Sequence, residues 1–64
     1  MDQSAKVFVA GHRGLVGSAI VRKLQSEGYR NLALRSRSEL DLANRAAVDR
    51  FFETERPQYV FLAA

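Results

Sequence analysis

Apolar positions along the chain gather in three short runs, separated by two stretches in which they recur every third or fourth residue. The first run, Ala5 to Ala10, is nearly continuous in its hydrophobicity, the pattern of a strand covered on both faces. From about Gly14 to Glu27, Val16, Ala19, Ile20 and Leu24 fall at spacings of three and four, while Arg22, Lys23 and residues 25–27 are polar. That spacing predicts a helix with one apolar stripe, and Gly28 stands where a helix places its C′ cap. Asn31 to Leu34 predicts a short second strand, followed by the polar run Arg35 to Ser38. A second helix is expected from about Asn44, its candidate N-cap, to Glu55, with Ala47, Val48, Phe51 and Phe52 as its stripe and Pro57 closing it. Gln58 to Ala64 predicts the third strand. No linker, repeat or low-complexity segment interrupts this order.

Strands alternating with helices imply βαβ units and a parallel sheet. Between the first strand and the first helix lie Gly11, Gly14 and Gly17, a G-x-x-G-x-x-G spacing. A dinucleotide-binding fold uses such a loop to turn tightly, to approach a pyrophosphate without a Cβ in the way, and to offer it free helix N–H groups. Gly11 suits the turn, Gly14 the close approach and Gly17 the packing of helix on strand. Three glycines in seven residues can occur in any loop; set between a strand and an amphipathic helix they become informative. The loop residues His12, Arg13, Leu15 and Val16 are counted with the glycines as candidate cofactor contacts. The expected fold is α/β, the N-terminal βαβαβ half of a Rossmann, doubly wound parallel sheet.

At 64 residues the chain makes at most one small domain, and a chain of this size buries only about 60% of its unfolded surface. In the strand order 3-2-1-4-5-6 the first strand pairs on its far side with the fourth. The apolar strand Val7 to Val9 is therefore expected to present a raw edge, which natural proteins avoid. On that ground residues 1–64 are expected to be the first part of a dinucleotide-binding domain, with the rest of it and a substrate domain outside the chain.

The choice of dinucleotide is expected at the end of the second strand, where an Asp or Glu about 20 residues past the glycines would bind an NAD ribose. This chain has Arg35-Ser36-Arg37 there. An acid repels the 2′-phosphate of NADP, whereas a guanidinium pairs with it in a bidentate, charge-assisted way. The expected cofactor is NADP(H), with Arg37, Arg13 and Arg35 as candidate phosphate ligands. Each is alternatively a solvated loop charge. Ser36 and Ser38 could add hydroxyl contacts, although serine in turns is common for local reasons. Asp41 and Leu42 could face the adenine, or Asp41 could simply cap neighbouring backbone. Leu62, Ala63 and Ala64 end the third strand, where small residues let backbone pass close to a cofactor. His12 is expected to structure the loop or lie exposed, and Tyr29 and Tyr59 to pack. No Tyr-x-x-x-Lys pair exists, so no catalytic residue is assigned.

Composition narrows the remaining classes. Apolar residues are 47% and charged residues 27%, ordinary values for a folded chain. Without cysteine there is no disulfide or thiolate chemistry, and one histidine makes no zinc site, so no metal is expected. No apolar run approaches the roughly 18 residues of a membrane helix, and the opening residues lack a signal-peptide core. A soluble, cytoplasmic protein is expected, with no membrane partner. The net charge of +3 is spread along the chain, with no basic face for nucleic acid.

Residues 9–20, Leu34 to Leu42 and Tyr59 to Ala64 together resemble the N-terminus of the GDP-L-fucose synthase family, within the extended short-chain dehydrogenase superfamily. The resemblance covers essentially the whole chain, and Gly-His-Arg-Gly paired with Arg-x-Arg is more specific than the glycines alone. It implies NADP(H) binding at Gly11, Arg13, Gly14, Gly17 and Arg37, with Asp41 and Leu42 beside the adenine. It further implies epimerisation and NADPH-dependent reduction of GDP-4-keto-6-deoxy-D-mannose. It implies as well a Ser, Tyr, Lys, Cys and His for that chemistry and a nucleotide-sugar site, all outside these residues, and a homodimer for the full-length enzyme. Two alternatives stay open: another extended dehydrogenase or epimerase acting on a nucleotide sugar, and a stand-alone NADP-binding module.

Overall fold

A computed structural model describes residues 1–63. The chain order is β1 (Val7–Ala10), α1 (Leu15–Ser26), β2 (Leu32–Arg35), α2 (Arg45–Glu55) and β3 (Tyr59–Leu62). The three strands are parallel, in the order β2-β1-β3. Ala64, expected to end the third strand, lies outside the described residues.

The expected raw edge on β1 does not exist. Val7 pairs with Leu32 on one side and Tyr59 on the other, and Ala10 with Arg35 and Leu62, so β1 is the central strand and β2 and β3 are the edges. The connection through α2 starts at β2 and returns over β1 to its far side. The third strand in sequence thereby takes the place that the expected strand order kept for a fourth. Two right-handed crossovers running in opposite directions put their helices on opposite faces of the sheet.

Side-chain alternation along β1 serves both faces. Phe8 and Ala10 pack with Ala33, Leu40 and Phe51 of the α2 side, against Ala47 and Val48. Val7 and Val9 pack with Leu24 and Tyr29 of the α1 side, against Ile20, Val21 and Phe61. All four β1 residues are buried, so its unbroken hydrophobicity records two covered faces. The Phe8 ring meets Phe51 at 4.5 Å between centroids, and burying an aromatic ring of this kind contributes about 1.5–3 kcal/mol. Phe52 touches Phe8 only at 6.0 Å and stays 38% exposed.

The helix ends follow local rules. The Gly28 N–H donates to the Gln25 carbonyl and the Tyr29 N–H to the Leu24 carbonyl, the paired bonds of a Schellman end, with Gly28 at φ 91°. Asn44 caps α2, its side chain accepting from the Ala47 N–H at 3.1 Å. Arg56, before Pro57, adopts φ 49° and ends α2. Lys6 and Glu55 form a part-buried ion pair at 2.7 Å that ties the end of α2 to the start of β1.

Other expectations need correction. β1 starts at Val7, because Ala5 and the residues before it form a turn closed by the Ala5 N–H on the Asp2 carbonyl. β2 is shifted one residue onward, so Arg35 belongs to the strand and not to the polar run. Val16, expected on the buried stripe of α1, is 60% exposed and lines a groove with Ile20 and Phe61. Tyr29 packs and donates its hydroxyl to the Met1 carbonyl, but Tyr59 is exposed.

Candidate functional site

The carboxyl ends of the strands are where this architecture builds a ligand site, at β1, whose two neighbours are reached by crossovers running in opposite directions. The Gly11 N–H donates to the Arg35 carbonyl of β2 (2.9 Å) and the Ala63 N–H to the Ala10 carbonyl (3.0 Å). The crevice therefore opens directly beyond Ala10, with the glycine loop between the ends of β2 and β3.

Each loop glycine has its own reason. Gly11 stands at φ 80°, a left-handed conformation that starts the turn, and its carbonyl accepts from the Gly14 N–H at 3.1 Å. A Cβ on Gly17 would run into the Gly11 carbonyl oxygen and come within 2.7 Å of its carbon. Gly17 is the contact that lets α1 sit on the end of β1. Gly14 differs: its φ is −76°, and an added Cβ would meet only ordinary contact, 3.5 Å from the Gly11 oxygen. Among the described residues no packing contact demands glycine at position 14.

Gly14 is also the N-cap of α1, so the helix starts without a capping side chain and without an acid in its first turn. The opening N–H groups of a helix have no intrahelical acceptor and carry its positive dipole end. Here they face the loop unsatisfied by any side chain, an arrangement suited to an anion.

Two adjoining clefts flank this point. One, of about 560 Å³, is lined by Gly11, Arg13, Gly14, Ser36, Arg37, Ser38 and Ala63. The other, of about 270 Å³, lies over the end of β2 and is lined by Arg35, Asp41 and Leu42, with Gly11, Ser36 and Arg37 shared between the two. Arg13 and Arg37 come from segments far apart in sequence and meet on one cleft. Arg35 is held differently: its guanidinium lies 5.1 Å from the Phe51 ring centre and donates to the Leu34 carbonyl at 2.8 Å. Stacking on Phe51 and bonding its own strand, Arg35 reaches only the second cleft. One Asp41 oxygen accepts from the Ala43 N–H at 2.9 Å, the local capping role.

The remaining sequence-predicted residues divide. Gly17 is buried at the helix contact. Leu15, 87% exposed, and Val16 lie with Phe61 along an apolar groove on the outside of α1, so only their backbone N–H groups face the loop. Leu62 is exposed and lines neither cleft, whereas Ala63 lines the larger one. The proposed Ala64 contact falls outside the described residues. His12 is half-buried in the loop, its Nδ1 enclosed without a hydrogen-bond partner among the described residues.

One residue escaped the sequence reading. Glu39 accepts the Ser36 N–H at 2.8 Å, and this bond, with the Ser36 side chain and then the nearby Arg13 and His12, holds its carboxyl below the usual carboxylate range despite some desolvation. The signal was present as Ser36-x-x-Glu39, the spacing of a capping box. Among the described residues no group of three or more His, Asp or Glu side chains could hold a metal, and no helix is long and apolar enough to cross a membrane.

Comparison with known proteins places this geometry in a family. Residues 7–64 match the NAD dependent epimerase/dehydratase family. The chain is 65% identical over 63 residues to GDP-L-fucose synthase 1 of Arabidopsis thaliana, covering 98% of this chain and 20% of that protein. It is 54% identical over 59 residues to GDP-L-fucose synthase of Escherichia coli (strain K12), covering 92% of this chain and 18% of that one. A GDP-D-glycero-L-gluco-heptose synthase from Campylobacter jejuni, solved in the presence of NADPH, superposes on the whole chain with a TM-score of 0.95 at 50% identity, using 19% of its own length. The chain thus spans about a fifth of the length of the proteins it matches. With three parallel strands, two helices and a glycine loop at the switch point, the chain belongs to the NAD dependent epimerase/dehydratase family.

Proposed function

We propose that these residues are the NADP(H)-gripping start of a reductase acting on a GDP-linked keto sugar. The observation that carries this reading is the convergence of Arg13 and Arg37 on the cleft that also holds Gly11 and Gly14. Two guanidiniums beside an open helix N-terminus suit a ligand with a diphosphate and a further phosphate. NADPH has both. Gly14 fits the same ligand, since the space a side chain would fill is free for the pyrophosphate. Arg13 and Arg37 would hold the 2′-phosphate, the α1 N-terminus the pyrophosphate, and Leu42 would wall the adenine. The bound nucleotide would supply the hydride. These residues orient it, because binding energy from the remote adenosine phosphate helps position the reacting carbon.

For the whole protein we favour conversion of GDP-4-keto-6-deoxy-D-mannose to GDP-L-fucose, because identity to the Arabidopsis thaliana and Escherichia coli GDP-L-fucose synthases, 65% and 54%, is higher than the 50% to the heptose enzyme. On this reading residues 1–64 open a dinucleotide-binding domain, catalytic groups and sugar pocket lie elsewhere in the polypeptide, and the enzyme is a cytoplasmic homodimer. The test is NADPH oxidation by the full-length polypeptide, followed by the loss of the reduced nicotinamide's absorbance, with the GDP-keto-deoxy sugar and with a GDP-keto-heptose. Turnover of the deoxy sugar supports the reading. Turnover of the heptose alone moves the substrate, and turnover of neither refutes the reductase assignment.

A further inference from the structure

Residues 36–40 form a single closed turn after β2. The Ser36 carbonyl accepts from the N–H groups of Glu39 (3.1 Å) and Leu40 (3.0 Å), while the Ser36 N–H donates back to the Glu39 carboxylate at 2.8 Å. Ser36 is buried, and its hydroxyl lies 3.1 Å from that of Ser38. One turn has no long helix to hold it closed. The bond from Glu39 also satisfies a backbone donor that burial would otherwise leave without a partner.

Arg37 is the first residue inside this turn, and it lines the cleft opposite the glycine loop with Arg13. Arg13 and His12 lie near enough to act electrostatically on the Glu39 carboxylate. Among the described residues, however, the ion pairs are Lys6 with Glu55 and Lys23 with Glu27, so Glu39 is not spent on a salt bridge. Its bonding is to the backbone that carries Arg37.

We propose that Glu39 is a specificity-determining positioning residue: by accepting the Ser36 N–H it fixes the turn from which Arg37 meets the 2′-phosphate. This rests on the NADP(H) reading above. Glu39 lines neither cleft, and its effect passes through Arg37. A dinucleotide lacking the 2′-phosphate makes no use of Arg37, so the turn matters to NADPH and little to NADH.

The test measures dissociation constants for NADPH and NADH on the full-length polypeptide and on its Glu39→Ala, Glu39→Gln and Arg37→Ala variants. Glutamine keeps an oxygen to accept the Ser36 N–H; alanine does not. Glu39→Ala should weaken NADPH about tenfold while moving NADH less than about threefold, and Glu39→Gln should hold NADPH within about threefold of the parent or tighter. Equal weakening of both nucleotides by Glu39→Ala, or no change in either, overturns the proposal. So does a Glu39→Gln variant as weak as Glu39→Ala, since charge and not the backbone bond would then be responsible. If Arg37→Ala itself leaves the preference for NADPH unchanged, the NADP(H) reading falls, and this proposal with it. If Arg37→Ala abolishes the preference while Glu39→Ala keeps it, only the role of Glu39 falls.

Discussion

Gly17 of α1 packs so closely on the Gly11 carbonyl that a single methyl group at position 17 would occupy the same space as that oxygen. The contact joins the first turn of α1 to the end of β1 and sets how near the helix N-terminus comes to the crevice. Its neighbour Gly14 is subject to no such constraint.

The two glycines should therefore fail differently. Gly17→Ala forces α1 away from β1 and should lower stability by about 1–3 kcal/mol or more, the usual cost of overpacking. Gly14→Ala should leave stability within about 1 kcal/mol and instead weaken dinucleotide binding, since its methyl group enters the ligand space. Denaturant titration and nucleotide binding on both variants separate the two effects.

Acid should loosen the packing of α2 on β1. The Lys6 ammonium bonds Glu55 and attracts its charge, with a smaller contribution from Arg35, and so holds the Glu55 carboxyl below its ordinary value of 4.5 in the folded chain. The unfolded chain takes up that proton first. The stabilisation is therefore complete above about pH 4.5 and is lost as pH falls through the lower folded-state value. Glu39 is shifted in the same direction, chiefly by the Ser36 N–H. Urea midpoints measured from neutral pH down to about pH 3 should fall through this window, and Lys6→Met should reduce the fall. A Lys6→Met profile parallel to that of the parent would show that the Lys6–Glu55 pair contributes nothing.

Local chemistry was legible in the sequence where one or two residues decide the geometry. The Asn44 cap, the Gly28 helix end, the turn at Gly11 and the helix contact at Gly17 are of this kind, because each depends on a side chain or its absence at one backbone position. The sheet order was misread because strand patterns record how each strand is covered and not which strand lies beside it. Whether β3 pairs with β1 or β2 depends on α2 crossing over the sheet, a long-range event governed by Phe51 and Phe8. The periodicity of α1 likewise marked Val16 as apolar without saying that it would stay 60% exposed. At the site, the meeting of Arg13 and Arg37 was legible from the glycine loop and the end of β2. The diversion of Arg35 was not, because it depends on β2 reaching Arg35, which strand alternation then puts on the face of Ala33 and Phe51.

The central claim is that Arg13 and Arg37 together recognise the 2′-phosphate, and the ratio of NADPH to NADH affinity tests it most directly. Isothermal titration of the full-length polypeptide and of its Arg13→Ala/Arg37→Ala double variant supplies that ratio. Each guanidinium–phosphate contact is worth about 1.5–3 kcal/mol, so the parent should prefer NADPH by a factor on the order of a hundred or more. The double variant should lose most of that preference with NADH binding nearly unchanged. A parent without preference, or a double variant that loses both nucleotides equally, would contradict the account.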